Sequence, residues 1–426
     1  MASNPRFANR NISPPPIRRH CQHLRTETSL SAKLRISAWN VNGIAPFVTP
    51  YLRRQPQRDQ HDIRSFFRAD PRGMAKKRKR GDTGNKHEST DSDDDNGPQQ
   101  NESAGDEPSL RRSLERLGWP HIICLQEIKI KRGDVLTMNA VRAAVNDTRT
   151  DLALTIDSSH HGGPAYDVHF NLPCDLHNAK GFGGRVYGVA TVVRRRFARA
   201  HIETVRNTRD LTFSLAIINI YAVNGTSNPY RSSEGSVIGT RHDRKLAVHY
   251  ELLREARRLE DRGFAVVIAG DLNVARDARD GYPNLRTWPP QHVVSRRDFN
   301  KKFFSDGVVG LDPGAERVLI AEHSNGGLPR RGEVDEDEEL VGFNGIDTFR
   351  AVHGDERRYS YYPRGRHWGS SCDRVDLVIA SRALGWLLVD ADICDNSRDR
   401  GPSDHCPVWA EHMFGSRRKG VGGKKF

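Results

Sequence analysis

The chain has 426 residues, only 36% of them hydrophobic, and its 67 Lys and Arg outnumber 54 Asp and Glu to leave a formal net charge of +13. So low an apolar fraction excludes a chain that is compact from end to end, no run approaches the apolar length of a membrane span, and the basic surplus favours polyanionic partners. Six cysteines without a CxxC pair argue against a zinc site or a disulfide framework and read as free thiols of a reducing compartment.

Residues 1–33 read as a disordered basic tail. Its first thirty residues are rich in Arg, Pro and Ser with Glu27 as the only acid, a composition shared with mitochondrial transit peptides, but Pro14-Pro15-Pro16 would break the helix such a peptide needs. A strand is expected from Leu34 to Trp39, ending on Asn40-Val41-Asn42-Gly43. From about 53 to 108 the chain reads as a disordered insertion, with Lys76-Lys77-Arg78-Lys79-Arg80 ahead of an acidic run that includes Asp91 to Asp95. The basic cluster suits a nuclear localisation signal and equally a solvated charge run. Helical spacing of Leu110, Leu114 and Leu117 predicts a helix over Ser109 to Leu117, and Ile122 to Leu125 predicts a buried strand ending on Gln126-Glu127.

Leu215 to Ile220 reads as a strand before Tyr221. Leu246, His249, Tyr250, Leu253 and Ala256 predict one face of a helix over Asp243 to Arg262, which feeds the strand Ala265 to Ala269 and the turn Gly270-Asp271-Leu272-Asn273. A second polar insertion, about 323–340, should be a surface loop. Asp376 falls inside the apolar strand Val375 to Ala380, where a carboxylate is costly to bury unless partnered. Ser403-Asp404-His405-Cys406-Pro407 follows, and 413–426 reads as a basic flexible tail. Asp and Asn are ordinary turn residues, yet here acids and amides gather repeatedly at the ends of apolar strands, where a metal and a phosphate could sit.

Trp39 to Gly43, Leu125-Gln126-Glu127-Ile128-Lys129, Tyr221-Ala222-Val223-Asn224-Gly225, Gly270 to Asn273, Arg374-Val375-Asp376-Leu377 and Ser403 to Pro407 together resemble, in order, the exonuclease III-type AP endonucleases. The resemblance covers about 34–48 and 110–412 and makes 34–412 one catalytic domain. It implies a four-layer α/β sandwich of two packed sheets flanked by helices, and a Mg2+-dependent phosphodiesterase, with Mn2+ as a substitute, acting on double-stranded DNA. It assigns Glu127, Asn42 and Asp404 to the metal, Asp271 to activation of the attacking water and Asn273 to water or phosphate. His405, held by Asp376, and Tyr221 would contact the scissile phosphate, with Asn40 and Asn224 beside it. Asn42 brings no charge, so metal binding should rest on Glu127 and Asp404.

For the abasic sugar the resemblance offers Tyr361 as pocket wall, with Trp368 and Arg364 on the following loop. Asp373 stands where a bulky apolar residue is usual. The implied activity is AP endonuclease with 3′-end trimming in base excision repair, by a nuclear monomer with a mitochondrial fraction alongside and no membrane partner. A related phosphoesterase acting on RNA, protein-linked DNA ends or phospholipid headgroups is the alternative within the fold. A catalytically silent nucleic-acid-binding module is the alternative outside it, although Glu127, Asp271, Asp376, Asp404 and His405 are all present.

Overall fold

The computed structural model describes residues 32–53, 108–148, 163–195, 197, 214–304 and 341–414. The N-terminal tail to 31, the Lys76 to Arg80 cluster with its acidic partner, and the 323–340 insertion lie outside the described residues.

Strand β1 (Ala32–Asn40) alternates Leu34, Ile36 and Ala38 on one face with Ser37 and Trp39 on the other, the period that lets a strand serve two cores at once. It is central to the first sheet, in which it pairs in parallel with β2 (Ile122–Gln126). The sheet is extended on that side by β4 (Val189–Arg194) and β3 (Tyr166–Asn171). On its other side β1 runs antiparallel to β10 (Val408–Phe414), and β9 (Leu388–Ile393) forms the edge. The second sheet is built on β6 (Phe264–Asp271), parallel to β5 (Ser214–Tyr221) and antiparallel to β8 (Asp376–Ala380), with the short β7 (Ile346–Asp347) outermost.

Leu34, Ile36, Ala38 and Cys124 of the first sheet pack against Ala265, Val267, Ala269 and Val378 of the second, so the two sheets stack face to face. Outside the first sheet, Trp39, Ile123 and Leu125 bury against α1 (Ala45–Arg53), α2 (Leu110–Arg116) and α3 (Val135–Val145). Outside the second, Val266, Ile268, Leu377 and Ile379 bury against α4 (Arg241–Asp261) and α5 (Gln291–Phe303). Four layers result, as the motifs implied.

Local chemistry sets the helix limits. Ser109 caps α2 by accepting from the Arg112 N–H, and Thr240 with Asp243 forms a reciprocal capping box at the start of α4. The buried face of α4 is the expected one at His249, Leu253 and Ala256 but departs from it elsewhere. Tyr250 is exposed and Leu246 only half-buried, while His242, Lys245, His249, Leu252, Leu253 and Ala256 face inward. The spacing found the later turns of that face and missed His242 and Lys245, because the first turns of α4 approach polar backbone rather than the core.

A buried ionic knot ties the second sheet to its loops. The Arg374 guanidinium, 1% exposed, donates to Asp280 at 2.7 Å and to Asp347 at 2.7 Å, and Arg276 reaches Asp347 at 2.8 Å. Arg350 also pairs with Asp280. Burial alone would raise the Asp347 carboxyl, but Arg374 and Arg276 overrule it and hold it well below the usual carboxylate range. The knot fixes the chain two residues before Asp376.

Candidate active site

Register brings the polar strand ends level. Across the second sheet Asp271 of β6 stands opposite Tyr221 of β5 and opposite Asp376 of β8, and in the first sheet Asn40 stands opposite Gln126, one residue before Glu127. The close approach of β6 to β5 needs glycine at position 270. A Cβ there would lie 2.0 Å from the Ile220 carbonyl oxygen, and its φ of 151° suits no other residue. Past the strand ends the backbone turns sharply: Asn42, Glu127, Lys129 and Asn273 all take φ between 47° and 53°. Asparagine tolerates that region; Glu127 and Lys129 are held there against their preference, at about 1–3 kcal/mol each.

The side chains converge across the two sheets. One amide nitrogen, Asn40 Nδ2, donates at 3.0 Å to Glu127 Oε2 and at 3.0 Å to Asp271 Oδ2. The Asn273 N–H donates to the other Asp271 oxygen at 2.9 Å, closing the turn. His405 Nδ1 lies 2.8 Å from Asp376 Oδ2, and its Nε2 points toward Asp271 Oδ2 at 3.9 Å. Its ring is backed by Tyr361, centroid to centroid 4.8 Å. Ser403 Oγ donates to the Asn40 carbonyl at 2.6 Å and accepts from the His405 N–H, while Trp39 Nε1 donates to the His405 carbonyl at 3.0 Å. These three bonds lock the histidine loop to the end of β1.

Electrostatics separates the titrating groups. Burial, reinforced by Asp376, pushes the Asp271 carboxyl up to about 7, with His405 and Asn40 pulling the other way. For His405 burial works against the charge, but Asp376 and then Asp271 outweigh it and raise the imidazole to about 10. The Tyr221 hydroxyl is raised well above its ordinary value by burial and by the charges of Glu127 and Asp271, so it stays a donor. At neutral pH the site therefore offers a charged imidazolium, a neutral phenol and a carboxylate close to its midpoint.

Asp271, Asp376 and His405 place ligand atoms within 4.8 Å of one another, the spacing of a metal site. A metal ligand must be a neutral imidazole, whereas His405 carries a proton with Asp376 on the second nitrogen, so this trio fits a charged hydrogen-bond donor better than a cation. The oxygens beside it suit a hard cation. Lys129 Nζ sits between Glu127 Oε1 at 2.9 Å and Asn42 Oδ1 at 2.5 Å, so these two acceptors already gather around positive charge. Asn42 Nδ2 donates to Asp404 Oδ1 at 2.8 Å, adding a second carboxylate to the group.

The remaining expected residues lie further out. Asn273 Nδ2 donates to the Ala222 carbonyl, and Asn224 Oδ1 accepts from Arg241 at 3.2 Å. Trp368 stacks flat on Tyr362, 3.8 Å between centroids, with the Arg400 guanidinium near its ring, while Tyr361 faces His405. Arg364 donates to the Pro402 carbonyl at the rim. Asp373 pairs through its backbone with Tyr361, and its carboxylate lies 3.7 Å from Arg286. Lys129, Ser403 and Lys245 escaped sequence reasoning. The first two stand inside the quoted motifs, with no role assigned to them there; Lys245, whose ammonium donates to the Asn273 carbonyl at 2.6 Å, lies outside the apolar spacing that predicted its helix.

The sequence profile of the endonuclease/exonuclease/phosphatase family matches residues 37–405. The chain belongs to this family. As a family member it is a hydrolase of phosphoester bonds, and its strand-end carboxylates fall within the matched span. Among solved structures it is similar to the catalytic domain of Xenopus laevis APE2, at 16% identity and a TM-score of 0.46 over 90% of this chain and 94% of that one. It is also similar to an AP endonuclease from Archaeoglobus fulgidus, at 17% and 0.40 over 88% and 98%. The 3′ phosphatase NExo from Neisseria, bound to a product DNA hairpin, aligns at 16% and 0.41 over 89% and 99%. No curated protein matches the chain by sequence.

Proposed function

We propose that the chain is a divalent-metal-dependent DNA phosphodiesterase, an AP endonuclease with 3′-end trimming that serves base excision repair in the nucleus. The observation that carries this reading is the single Asn40 amide bridging Asp271 and Glu127 at 3.0 Å each, with His405 Nε2 3.9 Å from the same Asp271 oxygen. A proton acceptor, a carboxylate suited to a cation and a charged donor thus stand together, the set that phosphodiester hydrolysis needs.

In this reading Asp271 takes the proton of the attacking water, and Asn40 with the Asn273 N–H keeps the carboxylate aimed. The His405 imidazolium and the Tyr221 hydroxyl donate to phosphate oxygens as negative charge grows, and Asp376 keeps the imidazole charged and oriented. Glu127, Asn42 and Asp404 would hold Mg2+, or Mn2+ in its place. When bound, the ion supplies positive charge to the phosphate oxygens. Tyr361, braced on His405, would wall the sugar pocket, and Arg364 and Trp368 would line its approach.

Asp373 with Arg286 favours a second reading, another phosphoesterase of the same family acting on RNA, a protein-linked DNA end or a phospholipid headgroup. A charged pair beside Tyr361 makes the pocket rim polar rather than apolar. Cleavage of matched duplexes with and without one abasic site, with Mg2+ and with chelator, decides between them. Mg2+-dependent incision confined to the abasic duplex is expected, with Glu127→Ala partly rescued by excess Mg2+ and Asp271→Asn not. Equal cutting of both duplexes would transfer the chain to the second reading.

A further inference from the structure

Behind the Asn273 turn the structure gathers two histidines beside Lys245 and Arg286, side chains that the proposed chemistry does not use. His242 is the second residue of α4 and His292 the second of α5, and their rings meet edge to face with centroids 5.5 Å apart. Two helix N-termini, of 21 and 13 residues, thus point their positive ends at one spot. Their first-turn N–H groups are largely occupied: those of Arg241 and His242 go to Asn228 and Thr226, and those of His292 and Val293 to Pro289 and Pro290. Anything held here would be held by side chains.

His242 is 6% exposed, and neither ring nitrogen has a hydrogen-bond partner among the described residues. Lys245 stands beside it, and Arg286, its side chain 58% exposed, opens the cluster to solvent next to the half-buried His292. Burial and then the neighbouring cations depress His292 to about 3, and burial brings Lys245 down to about 8. The nearest carboxylates are already engaged: Asp271 by Asn40, Asp243 by Thr240, Asp373 by Arg286. A buried donor without a partner in so positive a field suits an anion.

The cluster also adjoins the cleavage site. Gly225, one residue after Asn224, lies so close to it that a Cβ would come within 2.6 Å of His242 Nδ1. Lys245 links the cluster to the Asn273 carbonyl. We propose that His242, His292 and Arg286 form a second phosphate subsite, which takes a phosphodiester of the bound strand next to the one being cut. This rests on the chain being a DNA phosphodiesterase. It adds a backbone contact that fixes how the strand lies across the catalytic turn.

Binding of an undamaged duplex, measured by fluorescence anisotropy with chelator present and over a range of salt, tests the subsite without turnover. His292→Gln, at the solvent edge, is expected to weaken binding about tenfold, as loss of one charge-assisted hydrogen bond does. Arg286→Gln should lower the slope of log Kd against log salt by about 0.9, the signature of one released phosphate contact. His242→Gln should match His292→Gln, with its melting curve checked because the ring is buried. The two histidine variants should keep wild-type kcat at saturating DNA. Wild-type affinity and slope in both His292→Gln and Arg286→Gln would overturn the subsite. Perturbation of the His242 and His292 ring resonances by inorganic phosphate, with duplex binding unaltered in the variants, would also overturn it, since the cluster would then serve free phosphate alone. Absence of any duplex binding by the wild type would instead sink the underlying function.

Discussion

Asp271 has both carboxylate oxygens committed to donors from different parts of the chain, Asn40 on one and the Asn273 N–H on the other. Asp271→Asn keeps the size of the side chain but removes the proton acceptor and sets an N–H₂ group against the donors. Turnover should fall by about 10²–10⁴-fold with DNA affinity nearly unchanged, read as kcat against Kd. The titrations predict the pH profile. Asp271 must be ionised, so activity should rise through about pH 7; His405 must stay charged, so it should decline again through about pH 10. The two limbs belong to the interacting Asp271 and His405 pair, each shifting the other. Asp376→Asn withdraws the largest influence that holds the His405 proton, so its alkaline limb should move toward neutral pH. An alkaline limb unmoved in Asp376→Asn would show that His405 is not the group that titrates there.

Strands and loops act on the site through the buried knot of Arg374, Asp280 and Asp347. Arg374→Met leaves two carboxylates buried without their main cation, an arrangement that costs about 3–5 kcal/mol. Thermal or urea melts should record that loss, and kcat should drop with it because the start of β8 sets the place of Asp376. An unshifted melting curve would mean that Arg276 and Arg350 suffice for both acids. At this scale the sequence was most legible where one rule dominated: β1, β2, β5, β6 and β8 follow from apolar runs, and the strand-end acids from their position after them. Less legible were contacts that only register creates. Nothing around Asn40 announces that its amide spans two sheets, and α4 hides Lys245 and His242 on a face where apolar spacing chose Tyr250. Arg374 was visible only as the first letter of a motif, because its partners lie 94 and 27 residues away.

Across the whole molecule the site is a seam. Asn40, Asn42 and Glu127 come from the end of the first sheet, and Tyr221, Asp271 and Asp376 from the end of the second, so their spacing is set by how closely the sheets stack. Ala269, fully buried between the sheets, should be sensitive to volume. Ala269→Leu is expected to cost about 1–3 kcal/mol by overpacking. It should depress kcat far more than Val145→Ala, an outer-layer change chosen to lower the melting temperature equally. Equal kcat in the two variants would show that sheet spacing does not govern the chemistry. The seam also orders events during synthesis. Glu127 leaves the ribosome early, but His405 comes late, and β10, which lies directly against β1, is completed only at Phe414. A half-made chain holds acids without the imidazole and a first sheet without one of its inner strands. The growing polypeptide therefore lacks the assembled site, and under the proposed function it gains the ability to cut a nucleic acid only once β10 is in place beside β1.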